Sequence, residues 1–498
     1  MKLITKFPSP ARVTARILIA AAGALPVLIS AGSAALSAAP ARGESPAEPP
    51  AEPSSAFHLP HGAARDLDAL LAEHVEPHEP GFAAAVFRDG DVLYHGIRGM
   101  ANLDHAIPLS ESSRFYVASL SKQVTAAAAA LLIADGKLAL EERVADLLEN
   151  WPDWAEAVRV EHLLYHTAGL PDFIELLAVA DLSIADPLTL DDYLGVVLNA
   201  GALNHEAGAR AQFSNSNYLV LAAIIEQVSG RSLNSFAAER LFEPLGMRHT
   251  HFHDDRRRVI PDRVIGYRRS AGAPAGFAQA YINTYQEYGA GGLYTTVEDW
   301  GRWDSLRTGD PLGLGEEVSR LVERPGRTTG GTQVNYSFGL QLDSWNELRR
   351  VGHDGRFMGF RHDYRHLPEK GVSIAVFANR SDIDAGAVLE RIGEIILAGA
   401  LEEWMQPYLG SFVNRELEVT YELGAERGRL YLKRPSREPA ALSYQGGHRW
   451  RLGTWLLRFD QAEPREAEDA NDELRAPVFD RFYLSTPRAF NVEFERRH

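Results

Sequence analysis

Cysteine is absent from this chain of 498 residues. Its absence excludes disulfide bonds, thiolate metal sites, iron–sulfur clusters, covalent haem attachment and a cysteine nucleophile. Basic residues are in the minority, with 51 Lys and Arg against 67 Asp and Glu and a formal charge of −16. Proteins that bind nucleic acids generally hold the phosphates with Lys and Arg, so the composition argues against that class.

The rest of the composition is that of an ordinary globular protein. Apolar residues make up 45% of the chain and charged residues 24%, which argues against disorder, collagen and a protein with many membrane spans. Because 498 residues exceed what one hydrophobic core usually holds, we expect at least two domains.

The N-terminus has the pattern of a secretory signal peptide. An uncharged run over residues 17–39, which ends in small residues, follows four basic residues, Lys2, Lys6, Arg12 and Arg16. The alternative is an uncleaved anchor, since a run of this length can span a bilayer, but Pro26 and the many Ala and Gly residues favour cleavage. Removal of residues 1–39 would change the formal charge from −16 to −20 and leave a Pro-rich linker at 40–60.

Two short patterns predict strands in the part that follows. The runs 82–88 and 91–98 flank Asp89-Gly90, which is a strong signal for an antiparallel hairpin. The apolar run at 372–378 predicts a buried strand. We therefore expect an early antiparallel pair and, later in the chain, a central strand.

Helices and a second β region are also predicted. The Ala-rich run at 119–135 ends at Gly136, and the apolar run at 216–229 ends at Gly230, as in buried helices with glycine stops. From about residue 404 short aromatic and branched runs alternate with polar turns, which predicts an all-β module. An acidic insertion at 461–473 interrupts that module.

Ser119 and Lys122 stand three residues apart at the start of the Ala-rich helix. Residues at this spacing share one helix face. A serine hydroxyl becomes a good nucleophile when a neighbour accepts its proton, and burial and the helix dipole both favour the neutral lysine that can do so. Free N–H groups at a helix start suit a developing oxyanion. Taken alone, however, this four-residue pattern is also common on solvated helices.

The surrounding sequence is more specific. The segment at 115–148, FYVASLSKQVTAAAAALLIADGKLALEERVADLL, resembles the nucleophile segment of the serine β-lactamase and penicillin-binding-protein superfamily. The resemblance is strongest to the class C branch with its esterase and D-stereospecific peptidase relatives, and it extends over about residues 60–400. Four further stretches fit in the same order, at 158–173, 213–230, 241–255 and 289–303, and His353-Asp354-Gly355 matches the last catalytic motif.

The resemblance implies a role for each matched residue. Ser119 is the expected acyl-accepting nucleophile and Lys122 its proton partner. Asn215 is expected to contact Lys122 and the substrate, and His353 to bind a substrate carboxylate or assist protonation of the leaving group. The expected oxyanion hole consists of the backbone N–H groups of Ser119 and of Arg356, which follows Gly355.

The chain departs from the family pattern at Phe213, where the family normally has its catalytic tyrosine. Phenylalanine has no hydroxyl and cannot relay a proton. Three outcomes stay open: Lys122 is the only base, with His353 or a water protonating the leaving group; Tyr218 or Tyr288 supplies the missing hydroxyl; or the protein is weakly active or inactive. Loss of one acid/base group typically costs about 10²–10⁴-fold in rate, which favours an ester over an amide as substrate.

Histidines elsewhere could be read as metal ligands, but we expect them to pack and hydrogen-bond instead. His162 and His166 lie in a segment that resembles the family's HLLxHT stretch, and the second group lies in a loop that resembles one the family has without metal: His249, His251 and His253. We therefore expect no metal and no cofactor.

Together these features predict an α+β fold: a β-lactamase-like antiparallel sheet flanked by helices with a helical lobe, followed by a barrel-like β module. The expected divisions are a signal peptide (1–39), a linker (40–60), a catalytic domain (61–400) and a β module (401–498).

The predicted function is a periplasmic or secreted serine hydrolase that cleaves an ester or a D-amino-acid-containing amide through an acyl-enzyme on Ser119. The expected substrates are small esters, β-lactams or D-amino-acid peptides; no nucleic acid is expected, and a membrane only if residues 17–39 remain as an inner-membrane anchor. The alternatives are an inactive binding or scaffold protein of the envelope, and a true β-lactamase or D,D-carboxypeptidase.

Overall fold

The computed structural model describes residues 57–273, 275–282, 285–460 and 479–497. All of these belong to one unit, Ala38–His498. The predicted signal peptide, most of the predicted linker and the acidic insertion at 461–473 lie outside the described residues, so they remain predictions.

Strands occur in the first third of the described chain, in its middle and throughout its end. In chain order they are β1 (Phe82–Arg88), β2 (Asp91–Arg98), β3 (Met100–Asn102), β4 (Ile107–Pro108), β5 (Phe115–Tyr116), β6 (His251–Phe252), β7 (Tyr267–Arg269), β8 (Phe277–Gln279), β9 (Leu293–Thr295), β10 (Gly326–Arg327), β11 (Gln333–Val334), β12 (Tyr336–Ser337), β13 (Leu340–Trp345), β14 (Leu348–Phe357), β15 (Phe360–Leu367), β16 (Val372–Ala378), β17 (Gly410–Asn414), β18 (Val419–Glu426), β19 (Arg429–Lys433), β20 (Ala440–Ala441), β21 (Ser443–Tyr444), β22 (Arg449–Leu452), β23 (Trp455–Phe459), β24 (Arg481–Thr486) and β25 (Ala489–Arg496).

In the described part of the chain, one helix precedes the central sheet, most lie between its first and last strands, and two follow it. They are α1 (Ala63–His74), α2 (Ser121–Ala134), α3 (Val144–Leu147), α4 (Val160–Leu164), α5 (Phe173–Val179), α6 (Leu190–Leu198), α7 (Asn215–Ser229), α8 (Leu233–Ala237), α9 (Glu243–Leu245), α10 (Val297–Asp304), α11 (Glu316–Val322), α12 (Ala385–Ile396) and α13 (Ala398–Met405). Within the described ranges no helix is both long enough and apolar enough to cross a bilayer.

The central sheet has the order β12-β13-β14-β15-β16-β1-β2, and each neighbouring pair is antiparallel. The predicted hairpin and the predicted late strand are confirmed as β1, β2 and β16. Asp89 and Gly90 both have positive φ, 52° and 85°, as the tight turn of such a hairpin requires. The sheet thus joins both ends of the sequence that resembles the family, which confirms the predicted α+β class.

The two faces of β1 belong to different cores. Ala83, Ala85 and Phe87 pack with the helical lobe, while the alternate residues pack with α1 and α12 on the other face. This alternation follows from the two-residue period of a strand. A sheet covered on both faces needs apolar residues at every position, which explains why the run 82–87 contains no polar residue.

Helices α2 and α7 form the centre of the helical lobe. Both predicted helices are confirmed, although α2 begins at Ser121, after a short 3₁₀ helix at Ala118–Leu120. Their glycine stops are also confirmed, because Gly136 and Gly230 have positive φ values of 68° and 69°. The buried alanines of α2 leave little side-chain volume between the two helices, which permits their close packing.

The C-terminal strands form a nine-stranded sheet of order β20-β19-β18-β17-β25-β24-β23-β22-β21. Strands β20 and β21 stand at opposite ends of this order, yet only Leu442 separates them in the chain. The sheet must therefore curl until its two ends meet, which produces the predicted barrel-like shape. Phe412, Phe482 and Phe494 are buried inside it.

This barrel-like sheet shares a core with the rest of the fold. Its buried aromatic residues belong to the same apolar cluster as α1, α12 and the outer face of the central sheet. The contact is close at Gly428, where an added Cβ would lie 2.5 Å from the carbonyl oxygen of Glu394 on α12. Arg429 also bonds the Glu394 carboxylate at 2.6 Å. Unfolding of the barrel-like sheet therefore exposes apolar residues of α1, α12 and the outer face of the central sheet.

Phe482→Ala should lower the free energy of unfolding by about 3–5 kcal/mol. The ring is fully buried and lies 5.1 Å from Phe412 and 4.9 Å from Phe494 between ring centroids. Denaturant unfolding measures the change. Phe490, which is 73% exposed in the neighbouring strand, provides the matched control, and Phe490→Ala should change stability by less than about 0.5 kcal/mol. Equal losses for the two variants would contradict the shared core.

Candidate active site

Ser119 occupies the 3₁₀ turn that leads into α2. The turn is fixed from both sides: the Ser121 hydroxyl donates to the carbonyl of Ala118 at 2.6 Å and accepts from the backbone N–H of Leu293 at 3.2 Å. Ala118 has a positive φ of 49°, a conformation that costs free energy for a residue with a side chain. This strained residue lies directly beside Ser119, which is partly exposed.

Lys122 lies fully buried beneath Ser119. Its ammonium group donates three hydrogen bonds: to Ser119 Oγ at 3.0 Å, to Asn215 Oδ1 at 2.9 Å and to the carbonyl oxygen of Ala290 at 2.8 Å. The predicted meeting of Ser119 and Lys122 on one helix face is thus present. Asn215 Oδ1 and the Ala290 carbonyl can only accept, whereas the Ser119 hydroxyl can also donate, so the same geometry serves the ammonium and, with Ser119 Oγ–H donating, the neutral lysine.

Burial lowers the pKa of Lys122 to about 8, against the opposing effects of Glu287, Asp172 and Asp354. Desolvation disfavours the charged form of a lysine, whereas nearby carboxylates favour it. A lysine with this pKa is neutral in a usable fraction of molecules near neutral pH. It can then accept the proton of Ser119 across the existing hydrogen bond.

Asn215 is the first residue of α7, and Asp172 determines its orientation. Asp172 Oδ2 accepts from the backbone N–H of Asn215 at 2.7 Å and from its side-chain Nδ2 at 2.8 Å. The amide oxygen therefore points at Lys122. Asp172 also caps α5 by accepting from the N–H of Ile174 at 3.0 Å. Sequence reasoning missed Asp172; the available signal was an aspartate directly before a helix start, which indicates an N-cap.

His353 lies on β14 and is 2% exposed. Tyr336 Oη lies 3.1 Å from its Nε2, and the Asp354 carbonyl oxygen lies 2.5 Å from its Nδ1. Burial lowers the pKa of His353 to about 4, so the ring is neutral, with Nδ1–H donating and Nε2 accepting. Both ring nitrogens of His353 therefore have hydrogen-bond partners within the protein, and its role toward a substrate stays a prediction.

Phe213 takes the place of the expected tyrosine at the edge of the site. It is 42% exposed, with its ring centroid 5.1 Å from Lys122 Nζ and 4.7 Å from the His166 ring. The Lys122 ammonium thus meets an aromatic face, which favours the charged form. The ring supplies no hydroxyl that could carry a proton between Ser119 and a leaving group.

Neither of the tyrosines considered as replacements directs its hydroxyl to Ser119. The Tyr218 ring lies 5.8 Å from Lys122 Nζ, but its hydroxyl donates to the carbonyl of Leu164 at 3.2 Å. The Tyr288 hydroxyl donates to Glu226 Oε1 at 3.2 Å. The structure therefore favours Lys122 as the only base over a substitute tyrosine.

Gly355 brings β14 against the nucleophile turn. A Cβ at this position would lie 2.7 Å from the carbonyl oxygen of Val117 and 2.9 Å from Leu120 Cδ1, so a side chain would push the strand away. The last residue of β14 paired with β13 is Gly352, which leaves the following part of that edge without a strand partner. Arg356 follows on this stretch, with its side chain exposed and paired to Asp354 at 3.1 Å.

The histidines that could be read as metal ligands are engaged in packing. His162 Nδ1 accepts from the N–H of Arg159 at 3.1 Å, and His166 Nδ1 from Asn217 Nδ2 at 2.8 Å. His251 stacks on Tyr294 at 5.7 Å between ring centroids. In the part of the chain that the structure describes, no three His, Asp or Glu side chains are grouped so that they could hold a metal ion.

Comparisons with known proteins identify the family of this chain. The Beta-lactamase family model matches residues 67–395. Penicillin-binding protein 4* of Bacillus subtilis (strain 168) is 28% identical over 359 residues, which cover 69% of this chain and 77% of the relative. A D-aminopeptidase of Cereibacter sphaeroides (strain ATCC 17023) is 27% identical over 303 residues, which cover 60% of this chain and 57% of that enzyme. This chain thus spans little more than half the length of that enzyme.

The fold is also similar to solved structures. The octameric penicillin-binding protein homologue from Pyrococcus abyssi aligns with a TM-score of 0.59 at 20% sequence identity. The alignment covers 87% of this chain and 99% of the homologue. This share exceeds the part that the family model matches, so the likeness of fold extends into the C-terminal β region.

The rate at which Ser119 reacts with a fluorophosphonate should rise with pH through about 8, because Lys122, whose pKa is lowered to about 8, must lose its proton before it can accept one. The labelling rate with a fluorophosphonate, measured from about pH 6 to about pH 10, reports this dependence. Lys122→Arg keeps its charge over that range and should label slowly throughout. A wild-type rate that does not change with pH would exclude Lys122 as the base.

Proposed function

The chain belongs to the β-lactamase family, and from this premise we propose that it is an exported serine hydrolase that forms an acyl-enzyme on Ser119. The observation that carries the proposal is the 3.0 Å hydrogen bond between Lys122 Nζ and Ser119 Oγ in a buried setting. Residues 61–400 form the proposed catalytic domain and 401–498 the proposed β module. The export pattern at residues 1–39 supports a periplasmic or secreted location.

The proposed reaction begins when neutral Lys122 takes the proton of the Ser119 hydroxyl. Ser119 Oγ then bonds to the substrate carbonyl carbon, and the negative charge moves to the carbonyl oxygen. The backbone N–H groups of Ser119 and Arg356 are the proposed donors to that oxygen, and such donors stabilise the transition state. The carbonyl re-forms as the bond to the leaving group breaks, and the Lys122 ammonium or a water returns the proton to that group. In the second half of the reaction, Lys122 takes a proton from water, and the water oxygen bonds to the acyl carbonyl carbon. The acyl group then leaves as the acid, and Ser119 Oγ regains its proton.

An ester is the preferred substrate class, with a D-amino-acid-containing amide as the second. An amide nitrogen must be protonated before it can leave, whereas an ester with a stable alkoxide or phenoxide leaving group depends less on an acid. The site lacks the tyrosine hydroxyl that could supply this proton, because Phe213 stands at that position. The D-aminopeptidase among the relatives keeps the amide class in the proposal.

A binding or envelope-scaffold protein is the second candidate, and the observation that favours it is the same Phe213. A family member without its proton relay can keep the cleft and lose the chemistry. In that case Ser119→Ala would leave ligand affinity unchanged, whereas a hydrolase would lose turnover.

Labelling with a fluorophosphonate or a penicillin-type probe should add one adduct to the wild-type chain, detected by intact-protein mass spectrometry. Ser119→Ala should abolish the adduct, because it removes the nucleophile while leaving the fold intact. Ser112, an exposed serine earlier in the same segment, provides the control, and Ser112→Ala should still label. No adduct on the wild type, or an undiminished adduct on Ser119→Ala, would overturn the proposal.

Phe213→Tyr should raise turnover of a p-nitrophenyl ester and, by a larger factor, of a D-amino-acid p-nitroanilide. The restored hydroxyl can relay a proton, and a positioned acid/base group typically contributes about 10²–10⁴-fold in rate. Nitrocefin and a D-Ala-D-Ala peptide complete the panel and distinguish a β-lactamase or D,D-carboxypeptidase. A clear fall in all four activities would show that the cleft is built around the phenyl ring.

A further inference from the structure

Glu287 is a buried carboxylate that the proposed reaction does not use. It is 2% exposed and lies just before the glycine-rich turn at 289–292. Its Oε1 accepts from the backbone N–H groups of Ala290 at 2.8 Å and Gly291 at 3.3 Å. Its Oε2 accepts from the hydroxyl of Tyr285 at 3.1 Å.

The hydrogen bonds of Glu287 suit an ionised carboxylate. Two backbone N–H groups, which can only donate, point at Oε1, and the Tyr285 hydroxyl donates to Oε2. A hydroxyl can also accept, so it is the nearby ammonium of Lys122 that favours the charged form. Burial raises the pKa of Glu287, while Lys122 and these hydrogen bonds act in the opposite direction. An unpaired charge is costly in such a place, so a positive partner is required.

The turn held by Glu287 touches Lys122 directly. The carbonyl oxygen of Ala290 accepts from Lys122 Nζ at 2.8 Å, and that of Gly289 accepts from Thr125 Oγ1, one helical turn further on, at 2.8 Å. Gly291 leaves room for the carboxylate, since an added Cβ would lie 3.0 Å from Glu287 Oε2 and 2.6 Å from Tyr116 Oη. The same turn thus connects the buried carboxylate to the buried ammonium.

Other groups around Lys122 contribute less or are uncharged. Among the carboxylates that favour its ammonium form, Glu287 has the largest effect, ahead of Asp172 and Asp354. Burial lowers the pKa of His166 and of His353, so both rings are neutral. Around Glu287 the tyrosines are neutral too, because burial raises their pKa values: Tyr116, Tyr193 and Tyr285.

We propose that Glu287 is a positioning residue for the nucleophile: its carboxylate fixes the Ala290 carbonyl against Lys122 and balances the charge of the buried ammonium. The proposal rests on the proposed function, in which Lys122 is the base for Ser119. Glu287 itself touches neither Ser119 nor substrate in this role.

The sign of its effect follows from electrostatics. Removal of a negative charge near Lys122 disfavours the ammonium, so the lysine loses its proton at a lower pH. Glu287→Gln keeps the size of the side chain and removes the charge. The base then becomes available at lower pH, while the loosened turn lowers the maximal rate.

The test combines two measurements on full-length variants. The chain has few lysines, so NMR of protein labelled with ¹³C at lysine Cε can follow Lys122, assigned with Lys122→Arg, among the lysines Lys2, Lys6, Lys122, Lys137, Lys370 and Lys433. Fluorophosphonate labelling gives the pH dependence of nucleophilic attack by Ser119, used here as the measure of its acylation. Glu226→Gln is the matched control, because Glu226 is a half-buried carboxylate that, like Glu287, accepts from a backbone N–H, of Leu233, and from a tyrosine, Tyr288.

Glu287→Gln should lower the titration midpoint of Lys122 and that of acylation together, by roughly one pH unit. Glu226→Gln should leave both in place. Glu287→Asp retains the charge at a shorter reach, so it should keep the midpoints near those of the wild type while slowing acylation, and it decides the matter if the Gln variant does not fold. A folded Glu287→Gln with an unmoved Lys122 midpoint, or a Glu287→Asp indistinguishable from the wild type in both readouts, overturns the inference.

The two readouts separate this inference from the proposed function. If the Lys122 midpoint moves but no variant and no wild-type chain is labelled, Glu287 is the counter-ion and the proposed hydrolase activity is wrong. If labelling occurs at Ser119 and the midpoint stays fixed in Glu287→Gln, the hydrolase proposal stands and the role of Glu287 is wrong.

Discussion

The buried ammonium of Lys122 is the interaction on which the site depends. A cation in a fully buried position needs all its donors satisfied, and here each goes to a different part of the chain: Ser119 before α2, Asn215 at the start of α7 and the turn at Ala290. The three acceptors therefore have to meet around one nitrogen. The cost of leaving any donor unpaired fixes these segments relative to one another.

Close backbone approach is the second constraint. Gly339 has a positive φ of 78°, and an added Cβ would lie 2.5 Å from the backbone of Lys122. Gly355 is equally restricted by the carbonyl of Val117. Because both positions lack a side chain, the turn before β13 and the end of β14 can lie directly against the backbone of residues 117–123. The cleft wall is therefore formed by main chain as well as by side chains, which suits donors aimed at an oxyanion.

The positive charge of the Lys122 ammonium is opposed by several groups around it. The ammonium of Lys122 is opposed by Glu287 behind the turn at 289–292, while Asp172 acts on it both by charge and by orienting Asn215. The face of the Phe213 ring also lies 5.1 Å from Lys122 Nζ. The lysine pKa results from the competition between burial and these charges, so the strength of the base is a property of the whole pocket rather than of Lys122 alone.

Much of the fold and part of the site were predictable from sequence. The hairpin at Asp89-Gly90, the strand at 372–378 and the helices ending at Gly136 and Gly230 follow from local signals, because turn chemistry and side-chain period act between near neighbours. The same holds for the meeting of Ser119 and Lys122. The ordered motifs indicated the family, and with it the α+β class.

Only the tertiary structure decided which distant residues complete the site. Asp172 and Glu287 carry no periodic signal, and both matter because packing brings them near Lys122. Tyr336 likewise hydrogen-bonds to His353 Nε2 from another strand, and no local sequence pattern indicates this contact. The sequence by itself determined the spacing of Ser119 and Lys122 and the absence of a hydroxyl at Phe213. The pKa and orientation of these groups were decided by long-range burial, because desolvation and charge depend on everything within a few ångströms, whatever its distance along the chain.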